Sequence, residues 1–360
     1  MKIKRQIVQN QEVSQGHPQC VFKGMFFVHI FKICSGPDRW LHNILEMNAK
    51  EKEACFMNGK GKIFSGYESL PGGTAADTVT AGCMVLEGGA FRGLYGEGVL
   101  DALMEAGINL QCTIGVSAGA MNGFSYTAGQ IGLAARLNLK YRHDSRYVGW
   151  KAFLHNKGVI GFDFALHQFL ADQSFDYERF YRNDRRFIAV ATNVETGRSE
   201  YFEKGVCGDI FQAIRASASM PYLSAPVMVD GIACLDGGCC EKVPYRWALD
   251  QGFEKIVLVM TREPSYRRNE KSKSDTMAKF FYRRYPAFIP VQSTSSERAN
   301  RDYERISELA SDGRIFLISP SRQMDISRLE GDMEKLGALY NLGYEDGKAA
   351  IPALRTYLKI

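Results

Sequence analysis

The sequence predicts an α/β protein in three layers, α/β/α, built on a mainly parallel central sheet. Three observations lead there. From Cys83 onward, short apolar runs ("CMVL", "CTI", "FIAVAT", "IACLDGG", "KIVLVM", "RIFLIS") are separated by helical patterns such as "FRGLYGEGVLDALMEAG" and "DIFQAIRASASM". Strands that alternate with helices put helices on both faces of a parallel sheet. The 360 residues are 45% hydrophobic and 12% aromatic, enough apolar material for such a core. Finally, "CTIGVSAGAMNG" at 112–123 sets Gly115, Ser117 and Gly119 at the G-x-S-x-G spacing of a sharp strand-to-helix turn, a nucleophile elbow.

Along the chain, residues 1–80 lack sustained periodicity and read as an N-terminal extension, closed by the turn-rich "SLPGGTAADTVTAG" at 69–82. Met57 or Met84 is expected nearer the beginning of the fold. The main domain is expected over 81–320. Within it, the aromatic-rich segment 141–186 interrupts the strand-helix rhythm, either as a cap or side wall over a site or as helices packed on the sheet. Residues 262–284 hold more basic than acidic residues with Phe280, Phe281 and Tyr282 interleaved, which suits a solvated helix face or a segment resting on an anionic membrane. Over 321–360, Leu329, Met333, Leu336, Leu339 and Leu342 form a helical stripe expected to pack on the domain.

Composition narrows the function. The net charge of +5 is the difference between 45 basic and 40 acidic residues, too slight to imply nucleic acid. None of the nine cysteines stands in a C-x-x-C pair, and the adjacent Cys239 and Cys240 suit neither tetrahedral zinc nor an ordinary disulfide, so no metal is expected. The most apolar stretch, 21–34, is broken by Lys23, His29 and Lys32 and falls short of the ~20 residues that span a bilayer. A soluble, cytoplasmic protein is expected, peripheral to the membrane at most.

Three strand-exit loops carry the candidate chemistry. In "LEGGAFRG", Gly88 and Gly89 let the backbone turn with N–H groups exposed ahead of a helix, an arrangement that binds negative charge, and Arg92 adds a fixed cation. The same loop could be a tight turn or a phosphate loop. In the elbow, Ser117 is displayed between Gly115 and Gly119. Such a serine ordinarily works with an acid and then a histidine further along the chain; His17, His29 and His42 precede the expected domain and His143, His155 and His167 lie in the 141–186 segment, so a histidine triad would need another order. In "ACLDGG", Asp236 follows a strand and precedes Gly237 and Gly238. A partly buried carboxylate beside a serine hydroxyl is a sufficient base.

"EGGAFRG", "GVSAG" and "DGG", in that order, resemble the patatin-like phospholipases, whose Ser-Asp dyad works without histidine. The resemblance covers roughly residues 83–262, including "RASASMPYLSAPV" at 215–227. It implies a patatin-like catalytic domain over 81–320, with Ser117 as nucleophile, Asp236 as base, oxyanion donors on Gly88, Gly89 and Ala90, and Arg92 as supporting cation. Glu87 and Ala90 stand where the family often has aspartate and a third glycine. The implied reaction is hydrolysis of acyl esters of a lipid or lysophospholipid, without metal or organic cofactor. An acyltransferase using the same acyl-enzyme, and a non-catalytic lipid-binding protein on this scaffold, remain alternatives.

Overall fold

The computed structural model describes residues 63–269 and 274–360. The expected extension therefore lies mostly outside the described residues, as does Met57. The sheet's first strand, β1 (Thr80–Leu86), leads through a short 3-10 turn (Ala90–Gly93) into α1 (Leu94–Glu105). Next come β2 (Leu110–Val116), α2 (Ala118–Ala128), β3 (Arg186–Asn193), β4 (Ser199–Glu203) and α3 (Ile210–Ser217). The chain then forms β5 (Val227–Val229), β6 (Ile232–Asp236), α4 (Tyr245–Asp250) and β7 (Ile256–Val259). It ends in α5 (Ser295–Ser311), β8 (Phe316–Ile318) and the 26-residue α6 (Met333–Leu358). Met84 lies inside β1, the sheet's first strand, and Phe64 is part of the core.

The hydrogen-bonded path runs β8-β7-β1-β2-β3-β6-β5, with β4 on β3. The strands from β8 to β3 are parallel; the pairings of β4 and β6 with β3, and of β5 with β6, are antiparallel. Strand alternation divides the core into two layers. Met84, Leu86, Phe187 and Ala189 pack toward α1, α2, α3 and α6, whereas Cys83, Val85, Ile188 and Val190 face Tyr245 of α4 and Tyr303 and Ile306 of α5. The expected three layers with a mainly parallel sheet are thus present.

Packing of α6 on α1 requires small residues at the crossing. A Cβ on Gly98 would lie 2.1 Å from the Tyr340 carbonyl oxygen, and one on Gly343 would lie 1.9 Å from that of Tyr95. The sequence stripe of Met333, Leu336, Leu339 and Leu342 is buried. In the 141–186 segment, Phe169, Leu170, Phe175 and Phe180 are buried in the core, while Tyr147, Ile160 and Phe162 line a cavity beside Ser117.

One register detail positions everything that follows. β2 pairs with residues 186–190 of β3 and β4 with residues 188–192, so β2 and β4 take opposite edges. β6 pairs with residues 191–193, overlapping β4, and therefore occupies the same edge as β2, beyond the point where β2 stops. The two strands meet end to end, Val116 opposite Val190 and Asp236 opposite Ala191. Asp236 thus does not sit at a parallel strand's exit, as the alternating pattern suggested. It ends the descending arm of a hairpin turned at Asp230 and Gly231.

Candidate active site

Ser117 follows β2 directly and caps α2 with φ 55° and ψ −119°, a backbone conformation that a side-chain-bearing residue adopts only when its surroundings impose it. The flanking glycines allow this. A Cβ on Gly115 would lie 2.4 Å from the Gly119 carbonyl, and one on Gly119 would lie 2.4 Å from the Leu86 carbonyl oxygen. The elbow is also held by Ser217, a residue that sequence reasoning passed over. Its Oγ accepts from the Ser117 N–H at 2.8 Å and donates to the Val190 carbonyl at 2.6 Å. The only local signal was its place among small residues in "RASAS".

Because β2 and β6 abut on one edge of β3, the Ser117 hydroxyl reaches Asp236 and donates to Oδ2 at 2.7 Å. Oδ1 accepts from the Gly238 N–H at 2.7 Å, and the Asp236 N–H donates to the Ser219 carbonyl at 2.8 Å. Both residues are buried, 6% exposed for Ser117 and 7% for Asp236. Burial pushes the Asp236 carboxyl above the usual carboxylate range, against the opposing pull of the Ser117 and Gly238 hydrogen bonds and the charges of Lys242 and Arg328. No histidine among the described residues lines the cavities at Ser117; His143 is held against the Gly331 carbonyl.

The glycine loop separates into distinct roles. Gly88, expected to be an anion donor, gives its N–H to the Lys242 carbonyl at 3.2 Å. Its missing side chain matters instead: a Cβ there would lie 3.0 Å from the Val116 carbonyl oxygen and 3.1 Å from the Ser117 Cβ. The N–H groups of Gly89 and Ala90 have no hydrogen-bond partner among the described residues, and both residues line the cavity at Ser117. Ala90 has φ 50°, a left-handed conformation that glycine adopts more readily, which accounts for the glycine expected there. Glu87 anchors the loop from below, accepting from the Thr261 N–H at 2.6 Å, from the Thr261 hydroxyl at 2.9 Å and from the Tyr303 hydroxyl at 2.6 Å.

Two cavities meet at Ser117, Ala90 and Met220. One is lined largely by apolar residues, including Phe91, Met121, Tyr147, Ile160, Phe162 and Leu329. The other is lined by Arg92, Lys242, Arg268 and Arg328, with Asp236 the one carboxylate. Arg92 is 7% exposed and its Nε has no partner. Burial and the neighbouring Arg262, Arg268 and Arg328 bring it down to about 10, so it remains a cation at neutral pH. Among the described residues no cluster of histidine, cysteine, aspartate and glutamate could hold a metal ion, and no helix is long and apolar enough to cross a membrane.

The model of the patatin-like phospholipase family matches residues 84–249, and that of a domain of unknown function (DUF6363) matches residues 285–359. The chain is 27% identical over 183 residues to the uncharacterized protein YjjU of Escherichia coli, covering 49% of this chain and 51% of that one. It is 28% identical over 193 residues to lysophospholipase nte1 of Aspergillus terreus, covering 49% of this chain and 12% of the relative. The chain thus spans about half of the first of these curated relatives and far less of the second. Among solved structures, VipD from Legionella pneumophila aligns with a TM-score of 0.45 and 15% identity, over 79% of this chain and 68% of that one. Residues 84–249, which hold the elbow, the glycine loop and Asp236, thus match the patatin-like phospholipase family.

Proposed function

We propose that the protein hydrolyses acyl esters of lipids, with Ser117 as nucleophile and Asp236 as base. The observation that carries this reading is the 2.7 Å hydrogen bond from the Ser117 hydroxyl to Asp236, made at a strained elbow where two strands meet end to end. Asp236 Oδ2 takes the proton as Ser117 Oγ attacks the ester carbonyl, and the N–H groups of Gly89 and Ala90 receive the oxyanion. Asp236 returns the proton to the departing alcohol, leaving an acyl-serine. It then takes a proton from an incoming water, whose oxygen attacks the acyl carbonyl; the fatty acid leaves and the proton returns to Ser117. The upward shift of Asp236 helps, since an ordinary carboxylate, at a pKa near 3.9, is a weak base for a hydroxyl.

A lipid or lysophospholipid is the proposed substrate, its acyl chain in the apolar cavity and its ester carbonyl at Ser117 between Ala90 and Met220. The test is labelling by a fluorophosphonate probe together with release of fatty acid from a monoacyl phospholipid. Labelling of the wild type and its loss in Ser117→Ala are expected. A folded wild-type protein that neither labels nor releases acid overturns the reading.

A further inference from the structure

The cationic cavity has no task in the chemistry just described. Proton transfer uses Asp236, and the oxyanion needs only the loop N–H groups and at most one cation. Yet four cations from widely separated segments converge on this cavity: Arg92 from the glycine loop, Lys242 after the aspartate loop, Arg268 after β7, and Arg328 between β8 and α6. Two of them lie beyond the matched residues 84–249, and Arg328 falls within the second matched region.

These cations are poorly neutralised. Arg92, Lys242 and Arg328 have no carboxylate within salt-bridge distance among the described residues. Arg268 stands 4.0 Å from Glu87, a carboxylate already committed to Thr261 and Tyr303, and its Nε has no partner. Lys242 donates to the neutral Gly238 carbonyl at 2.5 Å. Arg92 is buried, Lys242 and Arg268 are half-buried and Arg328 is exposed at the rim, and cations gathered without counterions repel one another. Burial first, and Arg268 and Arg328 next, bring the Lys242 ammonium down to about 7.

The arrangement suits one kind of guest. A carboxylate is satisfied by one bidentate guanidinium, whereas a phosphate presents oxygens in tetrahedral directions and takes donors from several sides. The two cavities share Ser117, so a ligand lying across both would carry an apolar chain on one side of its ester and an anion a few bonds away on the other.

We propose that the cavity formed by Arg92, Lys242, Arg268 and Arg328 is a head-group subsite, and that it selects monoacyl lipids whose phosphate head group carries net negative charge over zwitterionic ones. This rests on the reading of Ser117 as the acylated nucleophile, and the experiment separates the two. Full-length protein is assayed on lysophosphatidic acid, lysophosphatidylglycerol and lysophosphatidylcholine of one chain length in neutral detergent micelles, and on p-nitrophenyl butyrate, which has no head group. The kcat/KM ratio of lysophosphatidic acid to lysophosphatidylcholine is expected to be ~10 or more in the wild type. It falls ~10-fold in Arg328→Ala, the loss of one charge-assisted hydrogen bond, and recovers in part in Arg328→Lys. Arg328 is exposed, and the contact it makes through its backbone, accepting from the Phe91 N–H, survives the substitution. Inorganic phosphate distinguishes a lipid head from a free anion: competition against lysophosphatidic acid is expected, and a phosphate-dependent change in kcat for p-nitrophenyl butyrate marks an effector site and overturns the assignment. A flat head-group series with active butyrate hydrolysis also overturns the subsite alone. Absence of all hydrolysis by folded protein overturns the parent reading.

Discussion

The two cavities at Ser117 differ in origin as much as in chemistry. The apolar one is lined almost wholly from within the matched residues 84–249, with Leu329 as the exception; the cationic one draws Arg268, Gln292, Ser295 and Arg328 from beyond them. The hydrogen-bonded Ser117 and Asp236 sit between, on strands that meet head-on. The proposed dyad thus lies within the matched residues 84–249, while the polar wall is completed by residues that follow them. Changes to the dyad should act on every substrate, changes to the apolar wall on chain length, and changes to the cationic wall on head-group charge.

The largest effect is expected from Asp236→Asn, which keeps the shape but removes the base. Loss of ~10³-fold in kcat, in the upper part of the range for a general base, should be equal for short esters and lipids. In the wild type, kcat/KM should fall with decreasing pH through a pKa above that of an ordinary aspartate, because Asp236 must be ionised and burial raises it. An activity that is flat down to pH 4 contradicts that role.

Glu97 sharpens the contrast from the apolar side. It lines that cavity, is buried, has an unpartnered Oε2, and is pushed up to about 8 by burial and by the nearby Asp101. Its raised pKa means that the folded state holds a proton which the unfolded state releases above its ordinary value near 4.5. Stability from this group is therefore greatest below about pH 4.5 and declines as pH rises to about 8. Glu97→Gln mimics the protonated form and keeps an acceptor for Asn138. Relative to wild type it should gain a few kcal/mol between pH 5 and 9 in denaturant unfolding. A constant difference across that range would show that Glu97 does not titrate there.

Met121, on the first turn of the helix after the elbow, half-buried in the apolar wall, offers a smaller effect. Met121→Trp should lower kcat/KM for a long-chain lysophospholipid ~10-fold relative to p-nitrophenyl butyrate, the cost of excluding a few methylenes. Equal losses on both esters would place the acyl chain elsewhere.

What the sequence made legible was local. The elbow glycines, the loop after Leu86 and the strand before Asp236 each rest on a few neighbouring residues whose spacing carries the signal. The β5-β6 hairpin was not legible, since Val227–Val229 is too short for periodicity and strand direction follows from a register set against β3. Gly88 looked like a donor because a glycine's freedom is visible in sequence while the partner of its N–H, Lys242, is 154 residues away. Arg268 read as one of the basic residues of 262–284 and Arg328 as part of the C-terminal helical segment 321–360, and only the fold brings them to Arg92. Ser217 carried no pattern beyond small size.

The smallest predicted effect tests the cationic wall by charge alone. Lys242 faces Arg268, Arg328, Cys239 and Asp236, and with a pKa of about 7 it is charged below neutrality and increasingly neutral above. If it contributes to an anionic head-group subsite, the preference for lysophosphatidic acid over lysophosphatidylcholine should decline a few-fold between pH 6 and 8.5. The phosphate monoester gains charge over part of the same range, which works in the opposite direction. Lys242→Arg separates these contributions, because a guanidinium stays protonated throughout. In that variant the preference should hold level or rise with pH. A decline of equal size in both proteins would place the titrating group outside Lys242 and leave the wall's selectivity to the three arginines.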